Sequence, residues 1–157
     1  MPDTPAFLAE RLLQEGQKTI DFYRALEPGL WDRAVYTEGT HWSVQQVLAH
    51  FVSTEGAIQK LIENILEGGP GSPEDFNIDA YNERKVAALA EVPPQELMEQ
   101  FSLLRQKSAS LVSGMNQEDL NRRGRHPFLG ITDLAEVIKL LYRHNQIHQR
   151  DVRKVFA

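Results

Sequence analysis

Residues 132–155 read TDLAEVIKLLYRHNQIHQRDVRKV, and the spacing of apolar side chains in this stretch decides the fold. Leu134, Val137, Leu141, Val152 and Val155 fall on one face at the period of an α-helix, with no alternation of the kind a half-buried strand requires. Thr132 reads as the N-cap. Arg150, Arg153 and Lys154 stand near the other end, where cations complement the negative pole of the helix dipole. A helix over 133–155 with one apolar stripe must lay that stripe against partners.

The partners are found by working outward. Leu97, Phe101, Leu104, Leu111 and Met115 recur along a helix expected over 94–113, which Pro93 and Pro94 open. A short helix is expected over 78–89. Ser43-Val44-Gln45-Gln46 reads as a capping box, starting a helix over 43–67 whose stripe is Val44, Val47, Phe51, Ile58, Leu61, Ile62 and Ile65. Gly68-Gly69-Pro70-Gly71-Ser72-Pro73 stops it; without a preceding strand or a following lysine this run is a connector, not a phosphate loop. A first helix over 5–26 carries Leu8, Leu12, Phe22, Tyr23 and Leu26, and Pro28-Gly29 end it. Between the first two helices, Trp31, Tyr36 and Trp42 are aromatic enough to pack over one end of a bundle, and a loop through Arg123, Gly124 and Pro127 precedes the last helix. The expected class is all-α: a four-helix bundle with one or two short extra helices in the connections, and one domain over 1–157.

Composition narrows the partners. The chain has 157 residues, 41% hydrophobic and 25% charged, with net charge −5 and no cysteine. That excludes thiolate ligands, disulfides and a cysteine nucleophile. An acidic chain has no global field for phosphate backbones, and the Arg122, Arg123 and Arg125 cluster is short, so nucleic acid is not an expected partner. Met1 to Phe7 lack a basic stretch leading into an apolar run, and no apolar stretch reaches membrane-spanning length. A cytoplasmic protein with no membrane partner is expected.

Three of the five histidines bear on chemistry. His144 and His148 sit one turn apart on the apolar face of the last helix, giving two adjacent turns of a core-facing stripe to imidazoles. His50 lies at the edge of the second helix's stripe, between Val47 and Phe51. Three neutral imidazoles converging on one divalent ion would leave a fourth position open, as catalytic sites do. All-nitrogen ligation suits zinc or nickel, with iron or copper as further choices, and disfavours calcium and magnesium. The other reading is three independent core histidines, each bonded to a backbone or hydroxyl partner. His41 and His126 fall in connections and are expected at the surface or packing a loop. Glu55, just over one turn past His50, is a candidate acid or base, with solvation of the helix edge as the favoured role. Asn145 stands where a zinc protease of the His-Glu-x-x-His type has its glutamate, so that chemistry is excluded. Glu38 to His41 is the single Glu-x-x-His match and lies in a loop, which excludes a di-iron bundle.

Trp42-Ser43-Val44 leading through Leu48 to His50, Asp79-Ala80-Tyr81-Asn82 with Val86-Ala87, Asp119-Leu120, His126-Pro127-Phe128-Leu129-Gly130, and His144 with His148 follow one another in an order that resembles the DinB/YfiT-like metalloenzyme family. The resemblance runs from about residue 5 to the end. It implies a four-helix bundle of unusual connectivity and a metal held by His50, His144 and His148. Some relatives are thiol-dependent enzymes, among them bacillithiol or glutathione S-transferases and mycothiol-dependent maleylpyruvate isomerases. Many relatives carry Arg-Gly-Gln after the last histidine where this chain has Gln149-Arg150-Asp151, a departure expected to affect substrate handling and not the metal.

The resulting expectation is a metal-dependent transferase acting on a small-molecule substrate with a low-molecular-weight thiol. The alternatives are a non-enzymatic metal-binding module for stress response or interaction, and a metal-dependent hydrolase. A metal with an open position beside a roomy pocket favours an enzyme; a closed core favours the module. A homodimer is expected, with Phe7, Trp31 and Phe156 as apolar residues not assigned to the core.

Overall fold

The computed structural model describes residues 3–156. Four long helices form the body: α1 (Pro5–Arg24), α2 (Val44–Leu66), α4 (Pro94–Ser113) and α5 (Leu134–Lys154), with the shorter α3 (Ile78–Ala88) in the middle connection. Ser43 starts α2 with the full capping box: its Oγ accepts from Gln46 N at 3.3 Å, and Gln46 Oε1 accepts from Ser43 N at 2.8 Å. Among the described residues no helix is long and apolar enough to cross a membrane.

The connections hold more structure than the sequence pattern showed. Two-stranded antiparallel ribbons form from β1 (Ala34–Tyr36) with β2 (Trp42–Ser43), and from β3 (Arg123–His126) with β4 (Gly130–Asp133). Short 3₁₀ turns occupy Pro28–Leu30 and Gln117–Asn121. Strands of two to four residues are too brief to leave a period in the sequence. Thr132 is not the cap of α5: the ladder pairs it with Gly124 in extended backbone, and Asp133 takes the cap position without a side-chain bond, its carboxylate accepting from Arg123 at 2.7 Å. The glycine-rich run after α2 docks on β3, where Arg125 N donates to Pro70 O and Ser72 N donates to Arg125 O. Gly71 is required there, with φ of +88° and no room for a Cβ beside the Arg125 backbone.

Two of the three consecutive pairs of long helices do not pack together. α1 packs on α4 and α5, and α2 likewise packs on α4 and α5, so the pairs α1/α2 and α4/α5 stand diagonally across the bundle. The α1–α2 and α4–α5 connections, which hold the two ribbons, must therefore cross an end of the bundle, whereas α2 and α4 are neighbours and α3 between them packs on α2.

The core is split along its length. One apolar cluster gathers Leu8, Leu12, Ile58, Ile62, Val112, Leu134, Val137 and Leu141; another gathers Ile20, Tyr23, Val47, Phe51, Leu97, Phe101 and Val152. Full burial of side chains such as Phe51 and Phe101 contributes about 1.5–3 kcal/mol each. Between the clusters every long helix contributes polar side chains: Glu15 from α1, Glu55 and Gln59 from α2, Arg105 and Ser108 from α4, and Asn145 from α5. Arg105 clasps Glu55 bidentately, Nε to Oε2 at 2.8 Å and Nη2 to Oε1 at 2.9 Å, and also donates to Asn145 Oδ1, Leu12 O and Leu141 O. Ser108 adds a 2.7 Å bond to Glu55, and Gln59 donates to Ser108 and to Leu104 O. Glu55 thus has neither expected role: it is 1% exposed, and its carboxylate is consumed by Arg105 and Ser108. A charge in that position cannot be left in water because α4 covers it, so a cation had to come with it.

Of the three apolar residues expected to be free for association, Trp31 stacks on Tyr23 and Phe156 packs against the second cluster, leaving Phe7 exposed.

Candidate metal centre

α2 and α5 face each other across the split in the core, and His50, His144 and His148 meet there. One ring nitrogen from each lies within 4.8 Å of the others, and among the described residues this is the group of histidine, aspartate and glutamate side chains able to share an ion. His50 Nε2 and His144 Nε2 are 2.9 Å apart. The three ring centroids are separated by 4.8, 5.2 and 4.5 Å, with planes crossed at 78–87°, so the rings present edges toward a common point instead of stacking. Phe51 forms the floor under His144 and His148, and Trp42 packs 4.7 Å from the His50 ring. The aromatic connection expected to cover one end of the bundle does so, and it holds a histidine in place.

Burial pushes all three imidazoles toward the neutral form. His50 is lowered to about 3, mostly by desolvation and further by His148, and His144 is held well below its ordinary value by desolvation and its two neighbours. His148 is lowered by desolvation, partly offset by Asp151. Neutral rings keep the lone pairs a divalent cation needs. Outer contacts orient two of them: Thr54 Oγ1 lies 3.4 Å from His50 Nδ1, and the Tyr36 hydroxyl lies 2.6 Å from both His148 Nδ1 and Asp151 Oδ2. Asp151, part of the departure at Gln149-Arg150-Asp151, therefore stands next to the histidine cluster through Tyr36.

The cluster opens on a cavity of about 370 Å³. Its walls are Ile58, Val137, Leu140, Leu141 and Ile147 from the bundle, Trp42 from the first ribbon, Ile78, Asp79 and Asn82 from α3, and Pro127 and Phe128 from the turn of the second ribbon. Among the described residues Asp79 is the one acidic side chain on it, and no lysine or arginine lines it. His126, expected at the surface or packing a loop, does pack its turn, with Nδ1 accepting from Phe128 N and Leu129 N at 3.0 and 3.2 Å, but it is buried and lines this cavity. Desolvation lowers it to about 4. No periodicity marks a ribbon residue as a cavity wall, although its place directly before a proline fixed its extended backbone. His41 is exposed. A wider groove of about 540 Å³ lies over α1 and α5, but no histidine lines it, and Lys18 and Gln146 there are taken up by Glu15.

A family model for the DinB superfamily matches residues 11–152. The chain belongs to the DinB superfamily. Among solved structures, this DinB chain is similar to YfiT from Bacillus subtilis, described as a probable metal-dependent hydrolase with an unusual four-helix bundle topology, at TM-score 0.74 and 14% identity over 94% of this chain and 85% of that one. The colibactin self-resistance protein ClbS, solved with double-stranded DNA, aligns at TM-score 0.76 and 11% identity over 99% and 96% of the two chains. A variant of the mycothiol-dependent maleylpyruvate isomerase aligns at TM-score 0.67 and 14% identity over 94% of this chain and 59% of that protein. At these identities the likeness is one of fold. No curated protein matches the chain.

Proposed function

We propose that this DinB chain is a cytoplasmic, metal-dependent enzyme of one domain, in which His50, His144 and His148 hold a divalent cation, zinc or nickel first and iron or copper next. The observation that carries the reading is that three neutral imidazoles converge at the wall of an apolar cavity instead of under a closed core. A non-enzymatic module would need no such space. The donor set fits the ion: three nitrogens, no thiolate, and hydrogen-bonded support behind His148. A divalent ion bound there supplies Lewis acidity that makes a thiolate or hydroxide available near neutral pH.

The leading reaction is transfer to or from a low-molecular-weight thiol. With the ion bound, the cavity would carry its charge at one wall and that of Asp79 at another. The support is therefore for a reactant whose anionic or thiol end meets the ion and whose remainder is neutral or cationic, since among the described residues no lysine or arginine lines the rest of the wall. Asp79 and Asn82 are placed to hydrogen-bond the polar end of a substrate whose apolar body lies against Ile58, Ile78 and Ile147. Hydrolysis is the second reading, favoured by the description of YfiT. No nucleic-acid partner is proposed: the short cluster Arg122, Arg123 and Arg125 is paired with Asp119, Asp133 and Glu74. The homodimer rests on Phe7, and sedimentation showing only a 17.9 kDa species at micromolar concentration refutes it.

Elemental analysis of protein purified without a metal-affinity tag tests the site. One equivalent of a transition metal, lost in His50→Ala, His144→Ala and His148→Ala but kept in His41→Ala, is the expected result. Metal retained by all three variants refutes it. A screen pairing neutral and anionic thiols with electrophilic acceptors, run beside ester and amide hydrolysis, then separates transfer from hydrolysis.

A further inference from the structure

Behind His148, on the side away from the other two histidines, a two-step hydrogen-bonded chain reaches a carboxylate. The Tyr36 hydroxyl donates to Asp151 Oδ2 at 2.6 Å, and the same oxygen lies 2.6 Å from His148 Nδ1. We propose that Tyr36 and Asp151 are positioning residues that lock His148 in the tautomer protonated at Nδ1, so that Nε2 is the nitrogen it offers to the shared cation; this rests on the metal-site reading above.

Proton count fixes the tautomer. A tyrosine hydroxyl has one proton and two lone pairs, and a carboxylate only accepts. With its proton committed to Asp151, the Tyr36 oxygen can only accept from its other neighbour. His148 Nδ1 must then carry the hydrogen, and a neutral imidazole with Nδ1–H has its free pair on Nε2. The other oxygen of Asp151 faces Arg150 at 3.8 Å and Lys154 at 3.7 Å. The chain also fixes the ring's angle: Tyr36 meets His148 edge to face, centroids 5.7 Å apart and planes at 79°. Tyr36 comes from β1 and Asp151 from α5, so the first ribbon is pinned to the metal-bearing helix through this bond. His50 has a hydroxyl behind it too, but at 3.4 Å and with no carboxylate to claim its proton, so nothing dictates its tautomer.

The test has one arm without metal and one with it. In chelator-treated protein, long-range ¹⁵N–¹H correlation should show His148 protonated at Nδ1. Tyr36→Phe removes the acceptor, and Asp151→Asn provides an amide that can donate to the Tyr36 oxygen and turn its proton toward His148; both should move His148 toward the Nε2-protonated form. Asp151→Glu keeps an acceptor and should preserve the wild-type signal, a rescue that loss of packing would not give. A wild-type His148 protonated at Nε2, or a signal unmoved by Y36F and D151N, overturns the proposal. In the second arm, competition for Zn²⁺ and Co²⁺ should show Y36F and D151N weakened by about 10–100-fold, the usual effect of removing an outer-shell partner. No binding by the wild type overturns the metal reading and this proposal with it. Binding that Y36F and D151N leave unchanged overturns this proposal alone.

Discussion

Glu55→Gln is the substitution that most directly probes how the bundle tolerates charge at its middle. The change is nearly isosteric, but it leaves the Arg105 guanidinium 2% exposed beside an amide in place of a carboxylate. Two charge-assisted bonds, at 2.8 and 2.9 Å, lose their anionic acceptor, and the remaining partners, Asn145 Oδ1 and two backbone carbonyls, carry no formal charge. Removing one member of a buried ion pair costs about 3–5 kcal/mol, a large share of the roughly 5–15 kcal/mol that holds a domain together. For a chain of this size that corresponds to a melting temperature lower by about 6–20 °C. Urea titrations of chelator-treated protein, followed by far-ultraviolet circular dichroism, measure the loss without any contribution from bound metal. The surface pair Arg143–Glu136, with both side chains about half exposed, is the internal standard, and Arg143→Gln should cost less than about 1 kcal/mol. Replacing both members of the buried pair, as in the double variant E55M/R105M, should recover much of the loss. If E55Q costs no more than R143Q, the polar layer is not the stringent element described here.

Gly16→Ala should destabilise α1 even though alanine is the better helix former by about 1 kcal/mol, because a Cβ there would lie 2.7 Å from Arg105 Cγ, whose head group is pinned; a higher melting temperature would refute the close fit. Ser43→Ala should cost about 1 kcal/mol by removing the acceptor for Gln46 N, read from the urea midpoint. His126 is lowered to about 4, so below pH ~6.5 the unfolded chain takes up a proton that the folded chain refuses. Stability should accordingly fall as pH drops from about 6.5 toward 4, at about 1.4 kcal/mol per pH unit for this group, and His126→Gln should flatten the metal-free profile by one proton; parallel profiles would contradict the assignment.

The long helices were legible because their apolar side chains recur over five or six turns, and α4 begins at Pro94 and ends at Ser113, as its pattern required. The cap of α5 was misplaced because Thr132 has the right chemistry, and only pairing with Gly124 across a ribbon shows it to be strand. His144 and His148 stood out as imidazoles inside an apolar stripe. Asn145 attracted notice only as a missing glutamate; its place in the fold is under Arg105, an interaction between residues 40 apart that leaves no local trace. Tyr36 and Asp151 were hidden for the same reason, standing 115 positions apart. A carboxylate one turn beyond a helical histidine reads as an edge residue until its cation is seen to arrive from another helix, as Arg105 does for Glu55.

The diagonal placement of α1 and α2 bears on how the chain is made. A bundle whose consecutive helices pack together can close a hairpin as soon as the second helix appears. Here the helices on which α1 chiefly packs are α4 and α5, and the bond from Arg105 to Leu12 O spans 93 residues. Some 70 residues separate Arg24 from Pro94, so at about 5–20 residues per second the ribosome takes roughly 4–14 s to deliver the first of them. Through that interval Leu8, Leu12 and Ile20 stand on a nascent helix without the α4 and α5 surfaces on which α1 chiefly packs. Of the bundle's helices α1 is the first to be synthesised and among the last to be covered, which makes it the segment of the bundle a holding chaperone would meet.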